Sequence, residues 1–220
     1  MSSDKALVLL SGGQDSATCL LWAKHIHKEV EAISFTYGQK HSRELEAGDN
    51  ICKLLNIQRT VIGLPFISNI SVSSLLNSTL EGQHPLNDAL PASFLPGRNV
   101  LFLTIAAMYA YTKEINILVG GMCQTDYSGY PDCRRTFIDY LELAFDRGFA
   151  RDIYIVTPLM FLSKADSIKL ALSLPLGKEI LKLSHTCYKG ENPPCGTCPA
   201  CIIRAKGFSE VGITDPILEG

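Results

Sequence analysis

The residues with the clearest chemical meaning form a short polar turn near the amino end of the chain, Ser11-Gly12-Gly13-Gln14-Asp15-Ser16. This glycine turn follows the apolar residues 6–10 and precedes a helical pattern, so the sequence predicts a strand, a tight turn and a helix start. Glycine lets the backbone turn sharply and approach a ligand closely. Free N–H groups at a helix N-terminus attract phosphate, and Ser11 and Ser16 add hydroxyl donors. We therefore predict an anion cradle, with a plain turn capped by Ser11 as the simpler interpretation.

Asp15 is the acidic residue of the glycine turn, and two compatible functions fit it. A carboxylate that faces a phosphate repels it unless a cation lies between them, so Asp15 would help hold Mg²⁺. An acid in the first turn of a helix also complements the helix dipole. The turn contains no lysine, which distinguishes it from the GxxxxGK(S/T) loop of common NTPases.

Four of the eight cysteines lie close together near the carboxyl end: Cys187, Cys195, Cys198 and Cys201. Thiolates select zinc, and four protein ligands leave no open position for catalysis, so this cysteine cluster predicts a structural zinc knuckle. An iron–sulfur cluster is the main alternative, and a redox-active CxxC pair is a weaker one because Cys198 belongs to two such pairs. His185 lies nearby, but four thiols already complete the metal's shell.

Composition limits the class of protein. The chain has 220 residues, of which 46% are hydrophobic, and a formal net charge of −2, so it has no global basic field for nucleic acid. The first apolar run is too short for a secretory leader, and residues 101–111 cannot span a bilayer. We expect a cytoplasmic protein that binds neither nucleic acid nor membrane. In a reducing compartment, clustered cysteines favour metal ligation over disulfides.

Apolar patterns of the strand and helix type alternate along the chain. Strands are predicted at residues 6–10, 31–37, 58–62, 115–120 and 153–157, and helices at residues 17–27, 42–55, 99–113, 135–149 and 163–173. This alternation predicts an α/β fold with a doubly wound, mainly parallel sheet, in which ligands bind at the carboxyl ends of strands. Between residues 63 and 97 four prolines interrupt the pattern, which indicates a functional flap or a partly disordered insert.

The glycine turn resembles the pyrophosphate loop of the PP-loop ATP pyrophosphatases, and further segments in the same order resemble the 7-cyano-7-deazaguanine synthase family. These segments are Tyr37-Gly38-Gln39 with His41 and Glu44, Pro96-Gly97-Arg98-Asn99, the DYSGYPDCR run at residues 126–134, Thr157-Pro158-Leu159, and the cysteine cluster with Arg204 and Gly207-Phe208. The resemblance spans residues 7–208, and no motif is missing.

The resemblance implies an adenine-nucleotide α-hydrolase-like domain at residues 1–184 and a zinc-binding region at residues 185–220. It implies conversion of 7-carboxy-7-deazaguanine, ammonia and ATP to the cyano compound through adenylated carboxylate and amide intermediates, in the queuosine pathway. It also implies one structural Zn²⁺ per chain, Mg²⁺ with ATP, and a homodimer. No glutamine amidotransferase module is visible, so free ammonia or a partner's ammonia must serve. The nucleotide would bind at Leu10, Ser11, Gly12, Gly13, Gln14, Asp15, Ser16, Ala17 and Thr18, with Ser11, Asp15 and Ser16 catalytic.

The segment at residues 120–134 is the predicted substrate pocket. Tyr127 and Tyr130 offer flat faces to a purine-like ring, Asp126 and Asp132 would accept from its N–H groups, and Arg134 would pair with its carboxylate. The same residues would also form a plain loop in which the tyrosines plug the surface and Arg134 pairs with Asp132.

Several other polar residues have more than one interpretation. Arg98 and Asn99 are a phosphate clamp or a helix start, and Arg204 contacts phosphate or the knuckle sulfur. His41 is a general base, a ligand or a plain helix-entry histidine. Solvated helix faces are predicted for Lys164, Lys169, Lys178 and Lys182.

Two other functions explain part of the sequence. Another PP-loop ATP pyrophosphatase that modifies tRNA would share the glycine turn, but it would need a basic surface or an added RNA-binding module and a catalytic thiol. A zinc-knuckle module that binds nucleic acid would leave the glycine turn and the DYSGYPDCR loop unexplained.

Overall fold

A five-stranded parallel sheet forms the centre of the protein. The computed structural model describes residues 4–39, 42–76, 82–125 and 129–219. The strands are β1 Lys5–Leu9, β2 Glu29–Thr36, β3 Gln58–Gly63, β4 Gln83–His84, β5 Asn87–Pro91, β6 Ile117–Val119 and β7 Tyr154–Val156. The central sheet has the order β3-β2-β1-β6-β7, while β4 and β5 form a separate antiparallel hairpin. The predicted mainly parallel α/β fold is confirmed.

Helices cover both faces of this sheet. Within the described residues they are α1 Gln14–Ile26, α2 Arg43–Leu55, α3 Ile67–Ile70, α4 Arg98–Thr112, α5 Arg135–Gly148, α6 Lys164–Leu172, α7 Gly177–Leu183 and α8 Pro199–Val211. Side chains alternate across a strand, so Leu7 packs in the core with α4 and α5, while Ala6 and Val8 pack in the core with α1 and α2. The ten predicted strands and helices are all present, with ends within three residues of the prediction.

The order of the strands places the glycine turn. The chain builds β1, β2 and β3 outward on one side and then returns to add β6 and β7 on the other side of β1. The topological switch point therefore lies between β1 and β6, at their carboxyl ends. The glycine turn directly follows β1 and occupies this point.

The described parts of the insert at residues 63–97 are packed. Leu64, Ile67 and Leu95 belong to the large core cluster on the α4 side of the sheet. Buried His84 donates from Nε2 to the Val72 carbonyl at 3.1 Å, and the Ser74 N–H donates to the Ala92 carbonyl at 2.8 Å. The two-stranded hairpin was not predicted because its strands are too short to show a period.

Helices α7 and α8 were also missing from the prediction. Phe208 on α8 packs against Ile168 and Ala171 of α6 and against Leu181 of α7. The carboxyl-terminal region therefore shares a core with the α/β unit, and the division at residue 184 stays a prediction. Within the part of the chain that the structure describes, no helix is both long and apolar enough to cross a membrane.

Candidate active site and metal centre

The glycine turn is held by its own hydroxyl groups. The Ser11 N–H donates to Ser16 Oγ at 3.2 Å, the Gly13 N–H donates to Ser11 Oγ at 3.1 Å, and Ser16 Oγ donates to the Gly13 carbonyl at 3.1 Å. Gly13 is the N-cap of α1, and no side chain caps it. Ser11 therefore shapes the turn rather than capping the helix, which leaves N–H groups at the helix N-terminus for a ligand.

Helix α2 and the segment at His185 both contact the turn at Gly12. Gly12 has a φ of 98°, and a Cβ there would lie 1.9 Å from the Glu44 carbonyl oxygen at the start of α2. On the other side, the His185 N–H donates to the Gly12 carbonyl at 2.9 Å. Glycine is required here because both the backbone conformation and the space exclude a side chain. This backbone contact joins the segment before the cysteine cluster to the glycine turn.

A cavity of about 300 Å³ opens beside the turn. Its walls come from the turn, the ends of β1 and β2, the first turns of α2 and α4, and the segment after α7. The lining residues are Leu9, Leu10, Ser11, Gly13, Gln14, Asp15, Ser16, Ile33, Phe35, Tyr37, Gln39, Glu44, Leu75, Arg98, Asn99, Phe102, Gly121, Met122, Cys133, Thr186 and Tyr188. Of the predicted site residues, the turn, Arg98 and Asn99 thus meet at one cavity, whereas Ala17 and Thr18 are buried inside α1.

Asp15 is paired with a lysine from a distant part of the chain. Lys164 Nζ lies 2.8 Å from Asp15 Oδ1 and 2.7 Å from Oδ2, although the two residues are 149 positions apart. The Lys164 side chain is only 14% exposed, because its stem lies against Gly207 of α8. The prediction that Lys164 is solvated is therefore wrong, whereas Lys169, Lys178 and Lys182 are exposed. Tertiary structure supplies the cation that the turn lacks.

In the described part of the predicted substrate segment, Asp132 and Tyr130 form hydrogen bonds with other parts of the protein. Asp132 is buried and accepts from the Asn99 N–H at 3.0 Å, so it caps the start of α4. The Asn99 side chain donates back to the Asp132 carbonyl at 3.1 Å. Tyr130 is buried, with its hydroxyl 2.6 Å from Ser93 Oγ. These contacts favour the plain-loop interpretation for Tyr130 and Asp132, and they make Asn99 part of a helix start.

Arg134 is exposed at the N-cap of α5, and among the described residues it forms no ion pair with Asp132. It does not line the cavity, unlike Arg98. Asp126, Tyr127 and His41 lie outside the described residues. The substrate contacts predicted for this segment stay predictions.

The polar residues that line the cavity include Arg98, Glu44 and two tyrosines, Tyr37 and Tyr188. The Arg98 guanidinium carbon lies 5.8 Å from the centre of the Tyr130 ring. Burial raises the pKa of Glu44 to about 7, although the positive charge of Arg98 acts to lower it. Burial also raises the pKa of Tyr37. The sequence marked Glu44 only as part of a motif, and it gave no signal for Tyr188, which follows the first clustered cysteine.

The cysteine cluster has the geometry of a metal centre. Its four sulfur atoms all lie within 4.8 Å of one another, and Cys195 Sγ is 3.9 Å from Cys201 Sγ. Tetrahedral bonds of about 2.3 Å to zinc would place sulfurs about 3.8 Å apart, so the donors fit such an ion. Burial acts to raise the pKa of Cys195, but hydrogen bonds from Thr197 and Cys198 lower it to about 6, which favours the thiolate.

Arg204 serves neither function that the sequence suggested. Its guanidinium donates to both carboxylate oxygens of Asp215 at 2.6 and 2.8 Å. It also donates to the Ser184 carbonyl at 3.1 Å, to Thr186 Oγ1 at 3.1 Å and to the Leu181 carbonyl at 2.7 Å. Arg204 therefore fixes the segment that runs from α7 past the glycine turn to the cysteine cluster.

A parallel sheet whose first strand ends in an SGGxDS turn at the switch point defines the PP-loop fold class. Solved structures of this fold include a 4-thiouridine synthetase–RNA complex with bound ATP, with a TM-score of 0.51 and 16% identity over 94% of this chain and 50% of that chain. The NMN synthetase of Francisella tularensis gives a TM-score of 0.50 and 18% identity over 100% of this chain and 78% of that chain. Within this class, the chain belongs to the family described as queuosine biosynthesis protein QueC, whose model matches residues 5–212.

Curated relatives agree with this family. A protein of Chromobacterium violaceum named 7-cyano-7-deazaguanine synthase is 46% identical over 99% of this chain and 94% of its own length. A protein of Clostridium botulinum with the same name is 42% identical over 96% of this chain and 97% of its own length. The family resemblance drawn from the motifs is confirmed.

Proposed function

We propose that this protein is an ATP-dependent 7-cyano-7-deazaguanine synthase, which converts 7-carboxy-7-deazaguanine and ammonia to the nitrile in queuosine biosynthesis. The names of the relatives and their identity over nearly full length support the substrate and product. The structural observation that carries the ATP-dependent step is the uncapped N-terminus of α1 in the wall of the cavity.

The reaction needs ATP because a carboxylate is a poor electrophile. Transfer of adenylate to the carboxylate creates a leaving group, and pyrophosphate departs into the glycine turn, whose donors stabilise its developing charge. Ammonia then displaces AMP and gives an amide. Activation of the amide oxygen by a second ATP permits loss of that oxygen and formation of the C≡N bond.

Different residues of the glycine turn and the cavity would bind the nucleotide, the metal ion and the acid substrate. We assign nucleotide binding to residues 10–18, with backbone N–H groups and the hydroxyls of Ser11 and Ser16 on the pyrophosphate. Asp15 would help to hold Mg²⁺, which neutralises phosphate charge when bound. Arg98 lines the cavity and is therefore better placed than exposed Arg134 to pair with the substrate carboxylate.

The cysteine cluster would hold one structural Zn²⁺, because four thiolates satisfy this ion and leave no open position. Zinc would supply a cross-link among the four cysteines. We further propose a cytoplasmic homodimer that uses free ammonia and that requires no nucleic acid.

The test mixes purified protein with 7-carboxy-7-deazaguanine, ¹⁵N-ammonium and Mg-ATP and follows the products by mass spectrometry. We expect a nitrile that carries the labelled nitrogen, together with AMP and pyrophosphate. Asp15→Ala should lower turnover by about a hundredfold or more, whereas Asp88→Ala, at an exposed hairpin position, should not change it.

Nucleotide breakdown without labelled nitrogen in the product would overturn the assignment. A parallel reaction with tRNA in place of the acid separates the tRNA-modifying alternative. Pyrophosphate release that depends on tRNA would support that alternative, and release that depends on the acid would reject it.

A further inference from the structure

The proposed reaction releases protons that the glycine turn is not equipped to accept. When ammonia attacks the acyl adenylate, the C–O bond to AMP breaks, AMP leaves with the electron pair, and the added nitrogen must lose one proton. When the activated amide becomes a nitrile, its C–O bond breaks and the nitrogen loses two more protons. Carbon keeps its oxidation level throughout, so no electron acceptor is required. Hydroxyls and backbone N–H groups in the turn donate, and they suit phosphate rather than protons.

Among the described residues that line the cavity, two are carboxylates, Asp15 and Glu44. Asp15 is already paired with Lys164 through both of its oxygens. Glu44 has no hydrogen bond or ion pair from any described residue, and Arg98 acts on it as a nearby charge. Glu44 is therefore the available base of this cavity.

The first turn of α2 holds Glu44 against the site of the reaction. Its backbone carbonyl lies so close to the glycine turn that a Cβ on Gly12 would be 1.9 Å away. Glu44 lines the same cavity as Ser11, Gly13 and Arg98, and its charge acts on Tyr37 and Tyr188 in the same walls. Glu44 and the proposed pyrophosphate site thus share one cavity, where the acyl carbon must lie when adenylate is transferred.

We propose that Glu44 is the general base that removes protons from the substrate nitrogen, both when ammonia adds and when the amide becomes the nitrile. This inference rests on the synthase activity proposed above. A base is most effective when its pKa lies near the working pH, and burial raises the pKa of Glu44 to about 7.

Several titratable or charged groups share these walls with Glu44. In the cavity they are Asp15, Tyr37, Arg98, Cys133 and Tyr188. In a smaller adjoining pocket of about 30 Å³ they are Arg43, His185 and Cys187. Burial raises the pKa of Tyr37 above its ordinary value, so this phenol stays protonated at neutral pH and does not compete as a base.

The test compares Glu44→Gln with wild type in two reactions that separate activation from proton removal. The first is exchange of labelled pyrophosphate into ATP in the presence of 7-carboxy-7-deazaguanine. The second is ATP-dependent conversion of 7-amido-7-deazaguanine to the nitrile, which needs no ammonia. We expect Glu44→Gln to retain exchange within about threefold and to lose nitrile formation by about a hundredfold or more. Glu46→Gln, an exposed position on the same helix, is the matched control and should match wild type in both.

The pH profile provides a readout that a structural function would not change. For wild type, nitrile formation from the amide should rise with pH through about 7, because the ionised carboxylate is the active form. Glu44→Asp should keep this limb at a lower rate, and Glu44→Gln should lack it.

Three outcomes would contradict the inference. Nitrile formation within twofold of wild type in Glu44→Gln would exclude a base at this position. An equal loss of exchange and nitrile formation would make Glu44 a substrate-binding residue instead. Retention of the acid limb in Glu44→Gln would assign the titration to another group. Failure of wild type itself to catalyse either reaction would overturn the proposed function rather than the role of Glu44.

Discussion

The glycine turn is held by hydrogen bonds among its own residues, whereas the cysteine cluster brings four thiols together at spacings that fit a metal ion. Hydroxyls inside the turn accept hydrogen bonds from the Ser11 and Gly13 N–H groups, and α2 and the segment at His185 pack against the turn at Gly12. Among the described residues, the buried core of the cysteine cluster consists of Cys187, Cys198, Ala200 and Cys201, with partly buried Cys195 packed against it. The fold organises the first site before a ligand arrives, and an ion would add cross-links to the second.

The two regions are nevertheless connected. His185 contacts the turn, Thr186 and Tyr188 line the cavity, and Cys187 lies between them in the chain as a cluster residue. Loss of order in the cluster should therefore reach the nucleotide site, while damage to the turn should leave the cluster intact. The following predictions test this asymmetry, from the largest expected effect to the smallest.

Cys201→Ser removes one of the four sulfurs and should have the largest effect. Structural zinc sites contribute about 10–16 kcal/mol in small domains, so we expect bound metal to fall from one per chain to near zero and Tm to fall by about 10 °C or more. Metal analysis and calorimetry measure both. Cys52→Ala, outside the cluster, should keep its metal. Full metal content and unchanged Tm in Cys201→Ser would show that the fold organises this region too.

Gly12→Ala places a methyl group 1.9 Å from the Glu44 carbonyl at a φ of 98°. We expect a stability loss of about 3 kcal/mol from strain and overlap, and turnover lower by about a hundredfold, with metal content unchanged. Gly212→Ala is the matched control because Gly212 also has a positive φ, of 81°, but open space around it. It should cost about 1 kcal/mol and leave activity intact. Equal effects of the two variants would contradict the close approach at Gly12.

Lys164→Met removes the cation beside Asp15 and leaves that carboxylate facing the cavity. We expect the KM for Mg-ATP to rise by about tenfold, because the site loses a positive charge that attracts the phosphates in addition to Mg²⁺. Lys169→Met, an exposed position on the same helix, should change the KM by less than about twofold. An unchanged KM in Lys164→Met would limit the pair to a structural function.

Glu44→Gln should change the pH dependence of stability in the absence of substrates. Burial raises the pKa of Glu44 to about 7, so the folded state keeps the proton more tightly than the unfolded state, and stability falls as pH rises from about 4.5 to 7. The variant should therefore have a higher Tm than wild type at pH 8 and a similar Tm near pH 4. Glu46→Gln should act in the opposite direction, because a hydrogen bond from Ser42 lowers the pKa of Glu46. A Tm difference for Glu44→Gln that does not vary with pH would contradict a raised pKa at Glu44.

Features that depend on residues close together in the chain were predicted from the sequence. Strand β1, the glycine turn and the start of α1 follow one another within a short stretch, so residue type alone predicted the anion cradle. The cysteine spacing predicted the cluster for the same reason, since all four residues lie within one loop and the start of one helix. The β4–β5 hairpin and α7 were not predicted, because such short strands and helices show too little periodicity in their apolar residues.

By itself, the sequence determined the parallel α/β fold, the glycine turn, the cysteine cluster and the family. Tertiary structure alone decided that Lys164 pairs with Asp15, that Asp132 caps the helix of Asn99, and that Glu44 shares the cavity with Arg98. The physical reason is that side chains far apart in the chain leave no periodic or compositional trace of their contact. Their positions follow only when strands and helices pack and bring distant segments to the same end of the sheet.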